Sequence, residues 1–286
     1  MNIRTSVIIF CLLGINLLSA QEFTDDAEIV LNDLFAQDSL DIQMGLFAEK
    51  THVLYLHLNF DEQAYFSGRN FGIDQHSWQP NLTYMHGKHW FFNTNAAYYS
   101  GLDPNWDVLG LSTGYFTALG KSKKWSLSAL YSRLFFGENE VEEWNRNRIA
   151  SSLSYRLKSL KFRLGVGWLF GGENSVYISQ SSHWKIPLVK HKKFSCTINP
   201  ALRWLWSEQQ FTEEVVSGRL GRRITEIEQE VFDLINVVVE VPLSVEFGAW
   251  DLNFNYQMNF PRALPNEESL ENTQFFSVGL GYFIDL

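Results

Sequence analysis

The last eleven residues constrain this chain most. From Phe276 to Leu286 every second residue is apolar: Phe276, Val278, Leu280, Tyr282, Ile284 and Leu286. Between them stand Ser277, Gly279, Gly281, Phe283 and Asp285, mostly small or polar. Period-two alternation puts the two sets on opposite faces of a β-strand. A strand with one apolar face and an open edge invites aggregation, and closing a sheet into a barrel removes edges altogether. The expectation is a closed barrel in which this strand is the last member.

The same alternation recurs from Thr51 onward. Leu54, Leu56, Leu58 and Phe60 oppose Tyr55, His57 and Asn59 in the first strand. Trp125, Leu127 and Tyr131 oppose Ser126, Ser128 and Ser132 in the fifth, and Phe162, Leu164, Val166, Trp168 and Phe170 oppose Arg163, Gly165 and Gly167 in the seventh. A tenth strand sets Ile235, Val237, Val239, Val241, Leu243, Val245 and Phe247 against Asn236, Glu240, Ser244 and Glu246. The eleventh sets Trp250, Leu252, Phe254, Tyr256, Met258 and Phe260 against Asp251, Asn253, Asn255, Gln257 and Asn259. About twelve such strands fit the chain. Short connections near Gly87, Gly120, Ser159, His191 and Gly248 alternate with long ones at 61–77, 137–147, 209–230 and 261–273. Pro80, Pro187, Pro200 and Pro242 fall within strand windows, so each is expected at a bulge or a strand end.

An alternating, aromatic-bearing strand that closes the chain, preceded by short turns alternating with long loops, resembles the Gram-negative outer-membrane β-barrels. That family's closing strand ends on Phe or Trp; here Leu286 takes the place, with Phe283 nearby. The resemblance implies an all-β fold, a closed antiparallel transmembrane barrel in the cell outer membrane. It also implies outer-membrane lipid and the barrel-insertion machinery as partners, and both termini on the periplasmic side.

Alternation alone does not say which face is inside. A soluble barrel would point its apolar face inward. Roughly six large apolar residues on each of about twelve strands would overfill so narrow a lumen. The apolar set is therefore expected to face lipid, and the Ser, Asn, Gly, Thr and Gln set to face a wet interior.

The N-terminus carries Arg4, then an almost wholly apolar run from Val7 to Leu18, then Leu18-Ser19-Ala20 before Gln21. This is the pattern of a secretory signal peptide over residues 1–20. Residues 21–50 hold eight acidic residues and one base, a net charge of −7. They read as an acidic periplasmic segment with a short helix over Asp25–Gln37, either packed beneath the barrel or plugging it. Residues 51–286 form the barrel itself. The net charge of −9 argues against nucleic acid as a partner. Without Cys11 only Cys196 remains, so no intramolecular disulfide is expected.

The polar face carries a pattern of charge. Arg148, Arg156, Arg163, Lys185 and Arg203 fall on neighbouring strands, and Glu240, Glu246 and Asp251 on the next ones. Charge segregated across a lumen orients and selects polar solutes; charges paired across it would instead hold the barrel shut. The functional expectation is a narrow passive channel for small polar or anionic solutes. A non-conducting structural or surface-interaction barrel is the alternative. A lipid hydrolase is the second alternative, because Ser181 and His183 share a face two residues apart; the order of these residues does not match the hydrolase barrels that place His before Ser. His86-Gly-Lys-His89 reads as a turn rather than a metal site. No phosphate-cradling glycine loop or zinc pattern occurs, so no cofactor and no metal is expected.

Overall fold

The computed structural model of the chain describes residues 52–64, 75–101, 106–136, 146–172, 174–217, 223–263 and 269–286. The expected leader, the acidic segment and its short helix lie outside the described residues.

Fifteen strand segments make one antiparallel sheet. They are β1 (His52–Asp61), β2 (Ser77–His86), β3 (Trp90–Tyr99), β4 (Trp106–Leu119), β5 (Trp125–Phe136), β6 (Asn147–Leu157), β7 (Leu160–Phe170), β8 (Ser175–Trp184), β9 (Ile186–His191), β10 (Phe194–Ile198), β11 (Ala201–Ser217), β12 (Arg223–Glu240), β13 (Leu243–Phe247), β14 (Trp250–Pro261) and β15 (Thr273–Asp285). Three passes of the chain are broken in two: β8 with β9, β10 with β11, and β12 with β13. Twelve passes result, and they close on themselves through the pairing of β1 with β15. The closing register joins Val53 to Asp285 at one end and Asp61 to Ser277 at the other. The C-terminal alternation thus ends in a ladder, with no open edge.

Two of the breaks have a common cause. Pro200 separates β10 from β11, and Pro242 separates β12 from β13. Proline has no amide hydrogen to give a ladder. Neighbouring strands bridge the gaps with single backbone bonds: Trp184 N donates to Pro200 O (2.9 Å), and Asn199 N donates to Pro242 O (2.9 Å). The third break, at Lys185, lies beside them, so the irregularities form one seam across three adjacent passes. Pro187 sits at a register shift opposite Cys196 and Thr197. Pro80 falls in an interruption of the β2–β3 ladder, which pairs Trp78 with Tyr98 and then Asn81 with Asn95.

One end of the barrel carries the short turns. Gly87, Gly120 and Gly248 adopt φ of 61°, 70° and 61° there, the left-handed region open to glycine. Both His52 and Leu286 are at this turn end, joined by a bond from Leu286 N to His52 O (3.2 Å). The other end carries the longer connections. Residues 209–230, expected as a loop, are instead largely strand: β11 and β12 run on in register as far as Ser217 and Arg223. Their β-branched residues (Val215, Val216, Ile224, Thr225 and Ile227) favour extended backbone over the charges that suggested a loop. A second correction concerns Ile235, expected on the apolar face. It is 2% exposed, because a register shift opposite Leu205 and Trp206 leaves it as an extra residue in the ladder.

The faces sort as volume required. Leu56, Leu111, Ile149, Leu153, Leu164, Phe254, Phe276 and Leu280 are exposed on the outside. Ser132, Ser152, Ser154, Ser181, Ser207, Asn236, Asn259 and Asp251 are buried inside. Aromatic pairs band the outer surface at two levels. Trp90 meets Tyr115, Trp125 meets Tyr155 and Trp250 meets Tyr282 toward the turn end, with ring centroids 5.1, 4.6 and 4.6 Å apart. Phe60 meets Trp78, Trp168 meets Phe170 and Tyr256 meets Phe276 toward the loop end, at 4.8, 4.5 and 4.8 Å.

Candidate functional site

The lumen is the one concave surface that the alternation builds, and its lining follows from strand order. β6, β7, β8 and β11 lie side by side. Their registers set Ser154 against Arg163, Arg163 against Ser181, and Ser181 against Arg203. All four side chains sit on the inner face, and they form one transverse row. Arg148 and Arg163 are each 3% exposed. The Arg148 guanidinium lies over the Tyr177 ring, 5.1 Å from its centroid, a cation–π contact that offsets part of the cost of burying the charge. Lys161 pairs in register with His183, adding basic groups toward the turn end. Arg156 is exposed at the turn-end mouth, and Lys185 is exposed at the seam.

The acidic residues occupy the next strands round. Glu240 on β12 forms an ion pair with Arg203 on β11, so the two signs meet at that boundary. Glu246 on β13 accepts from Ser195 Oγ (2.9 Å). Asp251 on β14 accepts from Tyr55 Oη (3.0 Å) and from Asn253 Nδ2 (2.8 Å), and Ser244 Oγ donates on to Asn253 (2.6 Å). Sequence reasoning missed Asp61, which ends β1 and accepts from Asn59 Nδ2 (2.7 Å), Ser77 Oγ (2.9 Å) and Gln79 Nε2 (2.8 Å). Its position two residues beyond Asn59, on the same face, was the available signal. Arg148, Arg163 and Arg203 are thus brought together, Arg203 meets Glu240, and Glu246 and Asp251 stand on separate hydrogen-bonded clusters. Arg156 and Lys185 stand apart from the row.

The inner face is less uniformly polar than its sequence implied. Val53, Tyr55, Met85, Phe91, Val108, Leu130, Leu134, Ala150, Leu169 and Tyr177 form an apolar cluster inside the barrel. Glycines on adjacent strands make room for its rings. A Cβ on Gly281 would collide with Tyr55, and one on Gly167 with Tyr177. The sequence sign was a glycine at an inward position one strand from an inward aromatic, a pairing readable only once register is known.

Ser181 and His183 do make a hydrogen bond (3.0 Å between Oγ and Nε2). Ser181 is 3% exposed and faces the lumen. His86 and His89 flank the β2–β3 turn as expected. No group of three or more His, Cys, Asp or Glu arranged to hold a metal occurs among the described residues.

A closed antiparallel barrel, apolar outside, polar within and banded by aromatics at two levels, defines a membrane-spanning β-barrel. The chain has this architecture: a closed antiparallel β-barrel of twelve strands. No protein-family model matches it, and no curated protein matches its sequence. Among solved structures it is similar to the KdgM porin, with 9% identity and a TM-score of 0.45 over 80% of this chain and 98% of that one. It is also similar to the translocator domain of autotransporter NalP from Neisseria meningitidis (12%, 0.43, covering 90% and 98%). A third is LpxR from Salmonella typhimurium (6%, 0.44, covering 81% and 100%).

Proposed function

We propose that this barrel is a narrow passive channel for small polar or anionic solutes, with its turn end and both termini in the periplasm. The observation that carries the reading is the placement of charge on the inner face. Arg148, Arg163 and Arg203 stand on β6, β7 and β11, while Glu246 and Asp251 stand on the strands that follow and Asp61 on β1, across the ring from β7. Such separation makes a transverse field, and a low-dielectric wall strengthens it. Arg156, exposed at the turn-end mouth, extends the basic side to where a solute would leave. The mature chain in this reading begins at Gln21.

The test is current through planar bilayers holding the refolded mature protein under a salt gradient. Anion preference is expected, and it should fall in Arg156→Ser. Conductance and reversal potential identical in the two proteins would refute the reading. Folded but silent protein would favour a structural or surface role.

The Ser181–His183 bond supports a second reading as hydrolase, with His183 as base to Ser181. It predicts lipid ester cleavage that Ser181→Ala abolishes while the barrel still folds. Both side chains face the lumen, away from the lipid-facing surface, so the lining role is favoured.

A further inference from the structure

The turn end of the barrel carries a charge that neither the fold nor the lumen calls for. Exposed lysines stand in four of its five turns: Lys88 between β2 and β3, Lys121, Lys123 and Lys124 between β4 and β5, Lys158 between β6 and β7, and Lys192 and Lys193 between β9 and β10. No acidic residue occurs in any of the five turns. Asp285, at the end of β15, is the one exposed acid at that end among the described residues. The loop end, by contrast, exposes both signs, with Glu62, Asp233 and Glu271 beside Arg262. Mixed signs are what a solvated surface needs, so a single sign asks for another reason. Two of the lysines also occupy costly positions. Lys123 and Lys158 have φ of 50° and 53°, the left-handed region that Gly87, Gly120 and Gly248 fill in the other turn positions of this kind. A residue with a Cβ held there costs free energy that glycine would not, and such an outlier points to a use for its side chain.

We propose that these turns form a basic collar that binds the phosphates of anionic phospholipid headgroups in the leaflet at the turn end. It rests on the lipid-facing outer surface of the barrel and not on conduction. Position names the occupant. The aromatic bands of a membrane barrel lie at the two interfaces of the bilayer. Lys88 stands two residues before Trp90, Lys124 directly before Trp125, and Lys193 directly before Phe194. Phe194 pairs in register with Phe247, and Phe247 with Trp250, which meets Tyr282 in the turn-end band. At about 3.3 Å per residue, one to three residues carry a lysine about 3–10 Å beyond that band. The headgroup region on each side of a bilayer is about 5–8 Å thick, so the lysines fall within it. Their flexible four-carbon stems let each ammonium find a phosphate at that depth. A zwitterionic lipid offers a phosphate too, but its choline cancels the charge, so a collar of one sign distinguishes the two kinds of lipid. The collar thus gathers anionic lipid around one end of the barrel and fixes how deep that end sits.

The test uses the whole mature chain refolded into phosphatidylcholine bilayers that hold a minor fraction of brominated phosphatidylglycerol or, separately, brominated phosphatidylcholine. Quenching of tryptophan fluorescence gives the relative association of the two lipids with the barrel. Brominated phosphatidylglycerol should associate several-fold more strongly at low salt. The ratio should approach one in about 1 M salt, where the screening length is about 3 Å. A collar variant carries Lys123→Asn and Lys158→Asn, because asparagine tolerates the left-handed region, and Lys→Gln at the other five positions. Its ratio should be close to one at low salt, while Arg262→Gln at the loop end should keep the wild-type ratio. The heat-modifiable gel shift confirms a folded barrel in each protein. Equal quenching by the two lipids in the wild type would overturn the proposal alone, and so would a preference that the collar variant keeps. Absence of quenching by either lipid would overturn the membrane reading and the collar with it. Equal quenching, together with retention on immobilised polyglutamate that the collar variant loses, would assign the turns to an acidic protein partner instead and overturn the lipid assignment.

Discussion

Two neighbouring positions on β14 decide whether the outside of this barrel faces lipid. Phe254 is 43% exposed on the outer face, level with Val278 on β15 and Leu243 on β13. Asn255 is its inward neighbour, half-buried on the wall that carries Asp251 and Glu246. Arginine introduced at Phe254 would stand near the middle of a twelve-residue strand. A lipid-facing arginine at mid-depth costs about 2–4 kcal/mol, falling toward the interfaces. Loss of the phenyl ring from hydrocarbon adds to that, so Phe254→Arg should destabilise by about 3 kcal/mol or more. Asn255→Arg places the same charge in the lumen beside carboxylates, where the cost should stay below about 1 kcal/mol. The assay is reversible urea unfolding of the refolded protein in short-chain phosphatidylcholine vesicles, followed by the fluorescence of its ten tryptophans. A difference of 3 kcal/mol is more than a hundred-fold in the unfolding equilibrium. A soluble barrel would give the reverse order, because Phe254 would then face water. Asn255→Arg proving as costly as Phe254→Arg would refute the lipid-facing assignment and with it the membrane reading.

Three further outcomes follow from the lumen and its turns. Gly281→Ala should cost about 1–3 kcal/mol by overpacking against Tyr55. In a Tyr55→Ala background most of that cost should disappear, and an equal cost in both backgrounds would remove Tyr55 as the cause. Glu240→Gln should destabilise by about 2–3 kcal/mol by leaving the Arg203 charge without its carboxylate, whereas replacing both by Met should recover most of the loss; equilibrium unfolding of the three variants checks this. Gly248→Ala meets no neighbour within 4 Å. Its φ of 61° should still cost about 1–2 kcal/mol, read as a shift in the urea midpoint at unchanged slope.

Alternation made the number of passes and their faces legible, because a membrane barrel repeats one rule on every strand. The rule failed where a residue left the ladder. Ile235 reads as the first member of an apolar series, yet the shift between Leu205 and Trp206 turns it inward. Residues 209–230 failed for a different reason. Glu213, Glu214, Glu226 and Glu228 are poor sheet formers, and their number outweighed the β-branched residues among them. A hairpin that runs on beyond its neighbours, as β11 and β12 do, needs no apolar face on both sides, so charge is no evidence against it. The prolines were readable in kind: each was expected at a bulge or strand end, and Pro200 and Pro242 mark ends. That they fall beside each other, and beside Lys185, depends on register, which no single strand encodes.

The lumen was legible in its charge and illegible in its packing. Basic residues on consecutive inward positions are visible strand by strand, and adjacency follows from the order of a meander. The apolar cluster is different. Tyr55, Phe91 and Tyr177 each alternate correctly with outward residues, so nothing local separates an aromatic that lines a wet pore from one pressed against a glycine. Gly281 accommodates Tyr55 only because β15 closes against β1, the two most distant strands in sequence.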